Sequence, residues 1–154
     1  MAQWQSNSMV RNGSGVRFPL SAQNLLKTED LIHRMAFRFR DFPIYQGIRS
    51  FIKDIYQLAN KLPKQEQFEL ASQLRRASTS ILLNLAEGSM KRSDAEFNRF
   101  LMISVGSVSE IVAILDVCFD LDYINTSAHQ QFMLKCESIA KRLYGFSRKL
   151  KTKD

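Results

Sequence analysis

Apolar residues recur at helical spacing along most of the chain after Pro43. A first stripe runs to about Lys61, and a second runs from Pro63 to Gly88, where a glycine is a common helix terminator. The first stripe consists of Ile44, Ile48, Phe51, Ile52, Ile55, Ala59 and Leu62. The second consists of Leu70, Ala71, Leu74, Ala77, Ile81 and Leu85. The spacing predicts two amphipathic helices, each of which buries one face.

Two further helices are predicted in the second half of the chain. The third opens with Ser93 and Glu96, which have the spacing of a capping box, and reaches about Leu121. The fourth begins at residue 126 or 127 and continues to about Leu150. Because the connections are short, successive helices are expected to be antiparallel neighbours. The sequence therefore predicts an all-α fold, an up-down-up-down four-helix bundle over residues 43–150 with an N-terminal extension.

The extension before Pro43 has no sustained periodicity. Residues 1–23 are rich in Ser, Gln, Asn and Gly, and we expect a poorly ordered leader there. This stretch also resembles an accidentally translated transfer-RNA gene, which leaves a misplaced start codon open. Residues 24–42 are predicted as a short helix over 24–35 and an extended lead-in, in which Asp41 caps the first bundle helix. A basic tail follows the bundle at residues 151–154.

The third predicted helix is apolar on more than one face, unlike an ordinary outward-facing bundle helix. Its apolar residues are Phe100, Leu101, Ile103, Val105, Val108, Ile111, Val112, Ile114, Leu115, Val117, Cys118 and Phe119. One interpretation is a central helix that a single chain buries on several sides. We favour the other, in which a second subunit covers part of this surface, because four helices alone cannot wrap it fully. Val108, Ile111 and Leu115 are then the candidate interface residues.

Composition indicates one globular domain, because 45% of the 154 residues are hydrophobic and 24% are charged. The most apolar run carries Glu110, Asp116 and Asp120, which make a membrane-crossing helix costly, so we expect no membrane partner. The absence of a secretory segment and the presence of only Cys118 and Cys136 favour a reducing compartment. We therefore expect a cytoplasmic protein with core thiols.

Positive charge exceeds negative charge, with 22 Lys and Arg against 15 Asp and Glu. In an antiparallel bundle the end of helix two, the start of helix three and the end of helix four meet. The candidate nucleic-acid-binding residues gathered there are Lys91, Arg92, Arg99, Arg148, Lys149, Lys151 and Lys153. Such a surface suits the phosphate backbone of RNA rather than its base edges. Ordinary helix chemistry is the alternative, since cations near a helix C-terminus favour its dipole.

Catalytic and cofactor motifs are missing from the sequence. A di-metal bundle needs two Glu-x-x-His units, whereas the chain has only His33 and His129. The phosphate-binding loop and the dinucleotide fingerprint are also absent from the sequence. We therefore expect a protein that is not an enzyme and that uses no metal, no cofactor and no small-molecule substrate.

Polar residues lie within or beside the apolar stripe of the second predicted helix. Asn84 occupies a seam position, where a buried amide tends to fix register. Glu87, and Glu110 of the third helix, are candidate partners for Arg75 and Arg76. We interpret these five residues as a hydrogen-bonded network that holds the bundle or an interface together. Phosphate contact by one of the two arginines remains the alternative.

The residues around this network also resemble a known family. They are Ser72-Gln73-Leu74-Arg75-Arg76-Ala77, Ser80-Ile81, Asn84-Leu85-Ala86-Glu87-Gly88, Phe97, Arg99-Phe100-Leu101, Gly106-Ser107 and Glu110. With them, the sequence resembles the bacterial four-helix-bundle family encoded in 23S ribosomal RNA intervening sequences, which is related to the accessory variability proteins of diversity-generating retroelements. The resemblance covers about residues 36–150. Leu82-Leu83 and Ser104-Val105 depart from the family's usual residues.

The resemblance implies a left-handed up-down bundle that assembles into a ring, a homopentamer, with a basic surface. The retroelement relatives bind a reverse transcriptase and RNA, whereas the intervening-sequence members have no settled activity. We therefore predict a non-catalytic, ring-forming protein that binds RNA or a nucleic-acid enzyme such as a reverse transcriptase. The alternative is a purely structural, self-assembling scaffold whose charge only keeps it soluble.

Overall fold

The structure is a computed structural model that describes residues 9–11, 17–19, 27, 28, 31 and 37–151. It divides into two units, Met1–Arg38 and Phe39–Asp154. In the first unit, β1 (Met9–Arg11) and β2 (Arg17–Pro19) pair in antiparallel fashion. The rest of the predicted leader lies outside the described residues. So does most of the predicted helix 24–35, of which residues 27, 28 and 31 are helical.

The described elements of the second unit are all helical. Its α-helices are α1 (Tyr45–Ala59), α2 (Leu70–Ser89), α3 (Asp94–Asp120) and α4 (Thr126–Lys151). The all-α class is therefore confirmed for residues 39–151. The predicted ends of α2 and α3 and the predicted start of α4 agree with the structure to within one residue.

The lead-in to α1 is a 3-10 turn, Arg38–Asp41, so the predicted extended conformation is wrong. A lone strand would have no partner for its amides, and the turn instead lets the ring of Phe39 pack edge-on against Tyr45 at 5.6 Å. Asp41 does not cap α1, because Ile44 occupies the cap position without a side-chain hydrogen bond.

Helix α2 begins later than predicted. Pro63 starts a 3-10 turn, Lys64–Glu66, and the α-helix begins only at Leu70. The side-chain amide of Gln67 explains the extra length of the connection between α1 and α2, because it donates to the carbonyl oxygens of Ala59 and Leu62, at 3.0 Å each. The connecting segment thereby adds a partner for the Ala59 carbonyl, which also accepts from the Leu62 amide at 3.3 Å, and supplies one for the Leu62 carbonyl.

Side-chain caps hold the helix starts at both ends of the unit. The Ser93 hydroxyl accepts from the Glu96 amide at 3.2 Å, which confirms its capping role, and donates to the Glu96 carboxylate. At α4 the cap is Asn125, whose Oδ1 accepts from the Ala128 amide at 2.9 Å. Between them, Asp122 follows the end of α3 by two residues and lies in the left-handed region at φ 56°.

Helix α3 lies at the centre of the unit and packs against both α2 and α4. Val108, Ile111 and Leu115 are buried within the single chain, in one core cluster with residues of all four helices. Their predicted place at a subunit interface is therefore wrong, because no surface of these side chains is left for a second copy. By length and composition α3 could cross a membrane, a test that buried core helices also pass, and half of its most apolar window is buried.

Small residues bring α2 and α3 close together. A Cβ at Gly88 would lie 2.6 Å from the Cβ of Phe100, so any larger residue would force the helices apart. The Ser104 hydroxyl donates to the carbonyl of Ile81 at 3.1 Å, and the Ser107 hydroxyl donates to the side-chain hydroxyl of Ser80 at 2.8 Å. These bonds join the middle parts of the two helices, whereas the approach of Gly88 to Phe100 joins the end of α2 to the first turns of α3.

Helices α1 and α4 are joined by longer side chains and leave cavities between them. The Nζ of Lys135 lies 2.7 Å from a carboxylate oxygen of Asp54. The guanidinium of Arg142 donates to the carbonyl of Pro43 at 2.8 Å. The first contact joins the later part of α1 to the first half of α4, and the second joins the later part of α4 to the segment just before α1.

Candidate nucleic-acid interface

An aromatic cluster joins three segments at one end of the helical unit. Phe42 precedes α1, Phe97 lies in the first turn of α3, and Phe146 lies near the end of α4. Their ring centroids are 5.9 Å apart for Phe42 and Phe97, 4.8 Å for Phe42 and Phe146, and 5.4 Å for Phe97 and Phe146. Aromatic rings at these separations attract one another and stabilise the fold. The cluster therefore holds the three segments together, and the charged side chains on these segments come near one another.

Two predicted cations rest on a neighbouring ring. The Nζ of Lys91 lies 4.7 Å, and the guanidinium carbon of Arg99 lies 5.3 Å, from the centroid of Phe100. Phe100 itself packs against Gly88, the residue that brings the end of α2 onto the start of α3. Arg92 is exposed in the connection between these helices. The segment from α2 to α3 therefore holds Lys91 and Arg99 over one ring and exposes Arg92 in the connection between the helices.

The end of α4 adds its cations to the same region. The Ser147 hydroxyl hydrogen-bonds to the side-chain oxygen of Asn98 in α3. Arg148 and Lys149 follow directly and are exposed. Lys151 is the last residue of α4, its side chain is not described, and Lys153 lies outside the described residues.

We call this region the cationic end, and its described members are Lys91, Arg92, Arg99, Arg142, Arg148 and Lys149. Carboxylates also occur here. Glu87 pairs with Lys91 at 3.1 Å, one turn away on the same segment, and Asp94 and Glu96 occupy the first turn of α3. The cations outnumber these acids, and most of them are exposed, so phosphate groups can approach them from solvent.

The predicted polar network does not form as one unit. Arg75 donates to the carbonyl of Gln67 at 3.0 Å and to the side-chain oxygen of Asn60 at 3.4 Å, so its partners are neutral groups. Neither Glu87 nor Glu110 pairs with an arginine within residues 37–151. The reason is geometric, because Arg75 points toward the connection between α1 and α2.

Asn84 is half-buried on α2 and bonds within its own helix. Its amide donates to the backbone carbonyl of Ser80 at 2.8 Å and to the Ser80 hydroxyl at 3.0 Å. Ser107 of α3 donates to that same hydroxyl, so the polar chain crosses from α2 to α3. Arg76 and Glu87 line a surface cavity beside Asn84, and Glu110 is exposed on α3.

At the opposite end of the unit, polar groups bond one another. The Tyr123 hydroxyl donates to the carboxylate of Glu66 at 3.1 Å. A ring nitrogen of His129 lies 2.8 Å from Asp116, and the imidazole stacks on Phe119 with centroids 4.8 Å apart. We call this region the opposite end. Its side chains connect α3 and α4 to each other and to the segment before α2.

Both cysteines are buried free thiols, as expected from the sequence. Burial, and then the charge of Glu66, raise the pKa of Cys118 to about 11. Burial raises the pKa of Cys136 to about 12. Neither thiol ionises near neutral pH, which makes both poor nucleophiles. Within the described part of the chain, no group of His, Cys, Asp or Glu has the arrangement of a metal site.

Several functional contacts carry no short-range sequence signal. Gln67, Arg142 and Ser147 each bond to a residue in another segment, and only the packing of the helices brings these partners together. Asn125 is different, because an Asn just before an apolar helical pattern is a recognisable cap. Thr126 and Ser127, which follow it directly, are residue types that cap helices equally well, so the sequence alone does not single out Asn125.

Comparison with known proteins gives one family match. The family described as 23S rRNA-intervening sequence protein matches residues 40–145. This range takes in α1, α2, α3 and most of α4 and ends just before the aromatic residue Phe146. No curated protein matches the chain.

Proposed function

The chain belongs to the 23S rRNA-intervening sequence protein family, and on that premise we propose that it binds RNA through its cationic end without catalysing a reaction. The family name connects these proteins with ribosomal RNA and leaves the mechanism open. In this proposal the helices form an up-down-up-down, left-handed bundle, and the protein works in the cytoplasm. The pairing of late residues in one helix with early residues in the next supports the up-down part.

The observation that carries the proposal is the clustering of cations on an aromatic base. Lys91 and Arg99 lie over Phe100, while Arg148 and Lys149 extend from the turn that holds Phe146. Because the rings fix the helix ends, the cations form a surface of defined shape. Such a surface binds the phosphate backbone of RNA. The affinity falls as the salt concentration rises, because salt ions compete with the lysines and arginines for the phosphates.

Binding of a structured RNA at rising salt tests this proposal. We expect detectable binding at low salt and a loss of about a hundredfold or more between low and moderate salt if several phosphates are contacted. Replacing Lys91, Arg92 and Lys149 by Gln should weaken binding. Replacing Lys53, Lys61 and Lys64 by Gln removes the same amount of charge outside the cationic end and should have little effect on binding.

The scaffold alternative makes the reverse prediction. A protein whose charge serves only solubility shows no RNA binding even at low salt, and that result would remove the RNA proposal. If the immobilised protein retains a reverse transcriptase but binds no RNA, the partner of the cationic end is the reverse transcriptase. Equal loss of binding in the two sets of variants would mean that net charge, not the cationic end, governs the interaction.

We further propose that the chain assembles into a ring, a homopentamer, through the outer face of α2 and α3. Leu83 on α2 is 66% exposed, and Ile103 and Val117 on α3 are 42% and 43% exposed. Glu110 lies on the same face of α3, midway between these two apolar residues, and Arg76 lies on α2. A ring brings two different surfaces together, so the arginine of one copy can meet the glutamate of the next.

Sedimentation of variants tests this assembly. Leu83→Glu should yield smaller species that remain folded, because the side chain is exposed in the single chain. Gln73→Glu places the same charge on a polar, exposed position of α2 and should assemble normally. Ile111→Glu should unfold instead, since it places a charge in the core. A wild-type protein that sediments as one chain would contradict the ring.

A further inference from the structure

A cavity of about 280 Å³ opens at the cationic end between the lead-in to α1 and the last turns of α4. Its lining residues are Phe42, Pro43, Ile44, Arg142, Gly145, Phe146 and Lys149. Two phenylalanines, a proline and an isoleucine give it apolar walls, and two cations share the same lining. Apolar walls beside positive charge suit a flat ring that carries a negative group close to it.

Arg142 is held in place before any ligand arrives. One guanidinium nitrogen donates to the carbonyl of Pro43 at 2.8 Å. Another lies against α1 so closely that a Cβ at Gly47 would be 2.6 Å from it. A cation that is already fixed loses little freedom when it binds, which favours a defined ligand position.

The size of the cavity restricts the ligand further. Cavities for drug-sized ligands begin at about 300 Å³, so this one suits a single ring system rather than a bulky cofactor. Unpaired nucleobases fit this description, because they stack on aromatic side chains and arginine planes and are followed in the strand by a phosphate. A paired base cannot enter, since its ring remains stacked within the duplex.

We propose that this cavity receives one unpaired nucleobase of a bound RNA, with Arg142 and Lys149 beside its phosphate. The inference rests on the proposed RNA binding and adds that the cationic end distinguishes single-stranded from paired RNA. The backbone contacts of Lys91, Arg92 and Arg99 are available to either form. The preference therefore depends on the cavity, while the salt dependence depends on the cations.

Filling the cavity tests the inference without removing any charge. A Cβ at Gly145 has no atom within 4 Å, so Gly145→Leu can place its side chain in open space. Gly145→Ala makes the same change of backbone freedom and leaves most of the cavity empty, which makes it the matched control. The probes are a short unstructured RNA and the duplex that it forms with its complement, at one salt concentration.

We expect the wild type and Gly145→Ala to bind the single strand about tenfold more tightly than the duplex. Gly145→Leu should bind both forms alike, with duplex affinity and salt dependence unchanged. A Gly145→Leu variant that keeps the preference would overturn the inference and leave the proposed function standing. If the wild type binds neither RNA, the proposed function and the inference both fail.

Two further measurements use the wild-type protein and do not depend on a variant. A single strand of the same length that lacks its bases should bind only as tightly as the duplex, and undiminished binding would overturn the inference. AMP should bind much more weakly than the single strand, because it lacks the neighbouring phosphates. If AMP binds as tightly as the strand, the ligand is a free nucleotide and the RNA assignment is wrong.

Discussion

The two ends of the helical unit use polar side chains in different ways. At the opposite end, the Tyr123 hydroxyl bonds to Glu66 and the His129 ring bonds to Asp116, so polar groups connect the elements. At the cationic end, three phenylalanine rings connect the elements, together with the bonds of Ser147 to Asn98 and of Arg142 to the Pro43 carbonyl, and most of the cations are exposed. Because ring packing joins the elements at this end, exposed cations can gather around it.

The difference also explains why the charges can be concentrated without unfolding the chain. Like charges repel, but the repulsion between exposed groups is small in water and is screened by salt. The rings of Phe42, Phe97 and Phe146 outweigh it, because burial of large aromatic side chains contributes several times more. The predictions below test this division between the two ends, from the largest expected effect to the smallest.

The aromatic cluster should dominate the stability of the cationic end. Phe97 is 2% exposed, and Phe97→Ala should lower the free energy of unfolding by about 3–5 kcal/mol. Phe68, before α2, is 89% exposed, and Phe68→Ala should change stability by less than about 0.5 kcal/mol. Urea unfolding measures both. Similar losses in the two variants would mean that the aromatic cluster is not what holds this end.

Stability should fall at high pH through the two thiols. The folded protein holds their protons to about pH 11 and about pH 12, whereas an unfolded thiol ionises near pH 9. The contribution is therefore complete below pH 9 and is lost as pH rises through about 11 for Cys118 and about 12 for Cys136, on the order of 3 kcal/mol for each buried thiol. The double variant Cys118→Ala, Cys136→Ala should lack this part of the decrease in stability. Chemical denaturation at a series of pH values measures it. An unchanged pH dependence would contradict the account.

The two helix caps should contribute equally, although they lie at different ends. Ser93→Ala removes the cap of α3 at the cationic end, and Asn125→Ala removes that of α4 at the opposite end. Each should cost about 1 kcal/mol in thermal or urea unfolding. RNA binding should survive the Ser93 change, because the cap supplies no cation. A binding loss larger than the stability loss would show that the hydroxyl itself contacts RNA.

The smallest effect on stability is expected from the cations themselves. Replacing Lys91, Arg92 and Lys149 by Gln should change the free energy of unfolding by less than about 0.5 kcal/mol, since exposed ion pairs contribute little. Thermal unfolding checks this. A clear destabilisation would mean that the contacts of Lys91 with Glu87 and Phe100 support the fold, and that the cationic end is not reserved for a partner.

Periodicity was enough to predict the number of bundle helices and most of their ends, because an apolar stripe at helical spacing has few other ways to be buried. It failed at the connections. The chain before α2 follows the side-chain bonds of Gln67, and the lead-in to α1 follows the packing of Phe39 on Tyr45. Such contacts depend on the assembled fold, which no local pattern describes.

The candidate site was predicted in part. The contact of Phe97 with Phe146 and the approach of Gly88 to Phe100 bring together the helix ends that carry Lys91, Arg99 and Lys149, which the sequence had grouped. The burial of the candidate interface residues could not be predicted, because a helix that is apolar on all sides has the same sequence pattern whether its own chain or a second copy covers it. Val108 and Ile111 are covered by their own chain. The cavity beside Arg142 also had no signal, since it depends on how α1 and α4 pack.

The most direct test is the salt dependence of RNA affinity for three proteins. In the wild type, the logarithm of the association constant should fall steeply with the logarithm of the salt concentration. With Lys91, Arg92 and Lys149 replaced by Gln, the slope should become shallower by about two, at about 0.7–0.9 for each lost phosphate contact. With Lys53, Lys61 and Lys64 replaced, the wild-type slope should remain. Equal slopes in both variants, or no binding at all, would contradict the assignment of RNA binding to the cationic end.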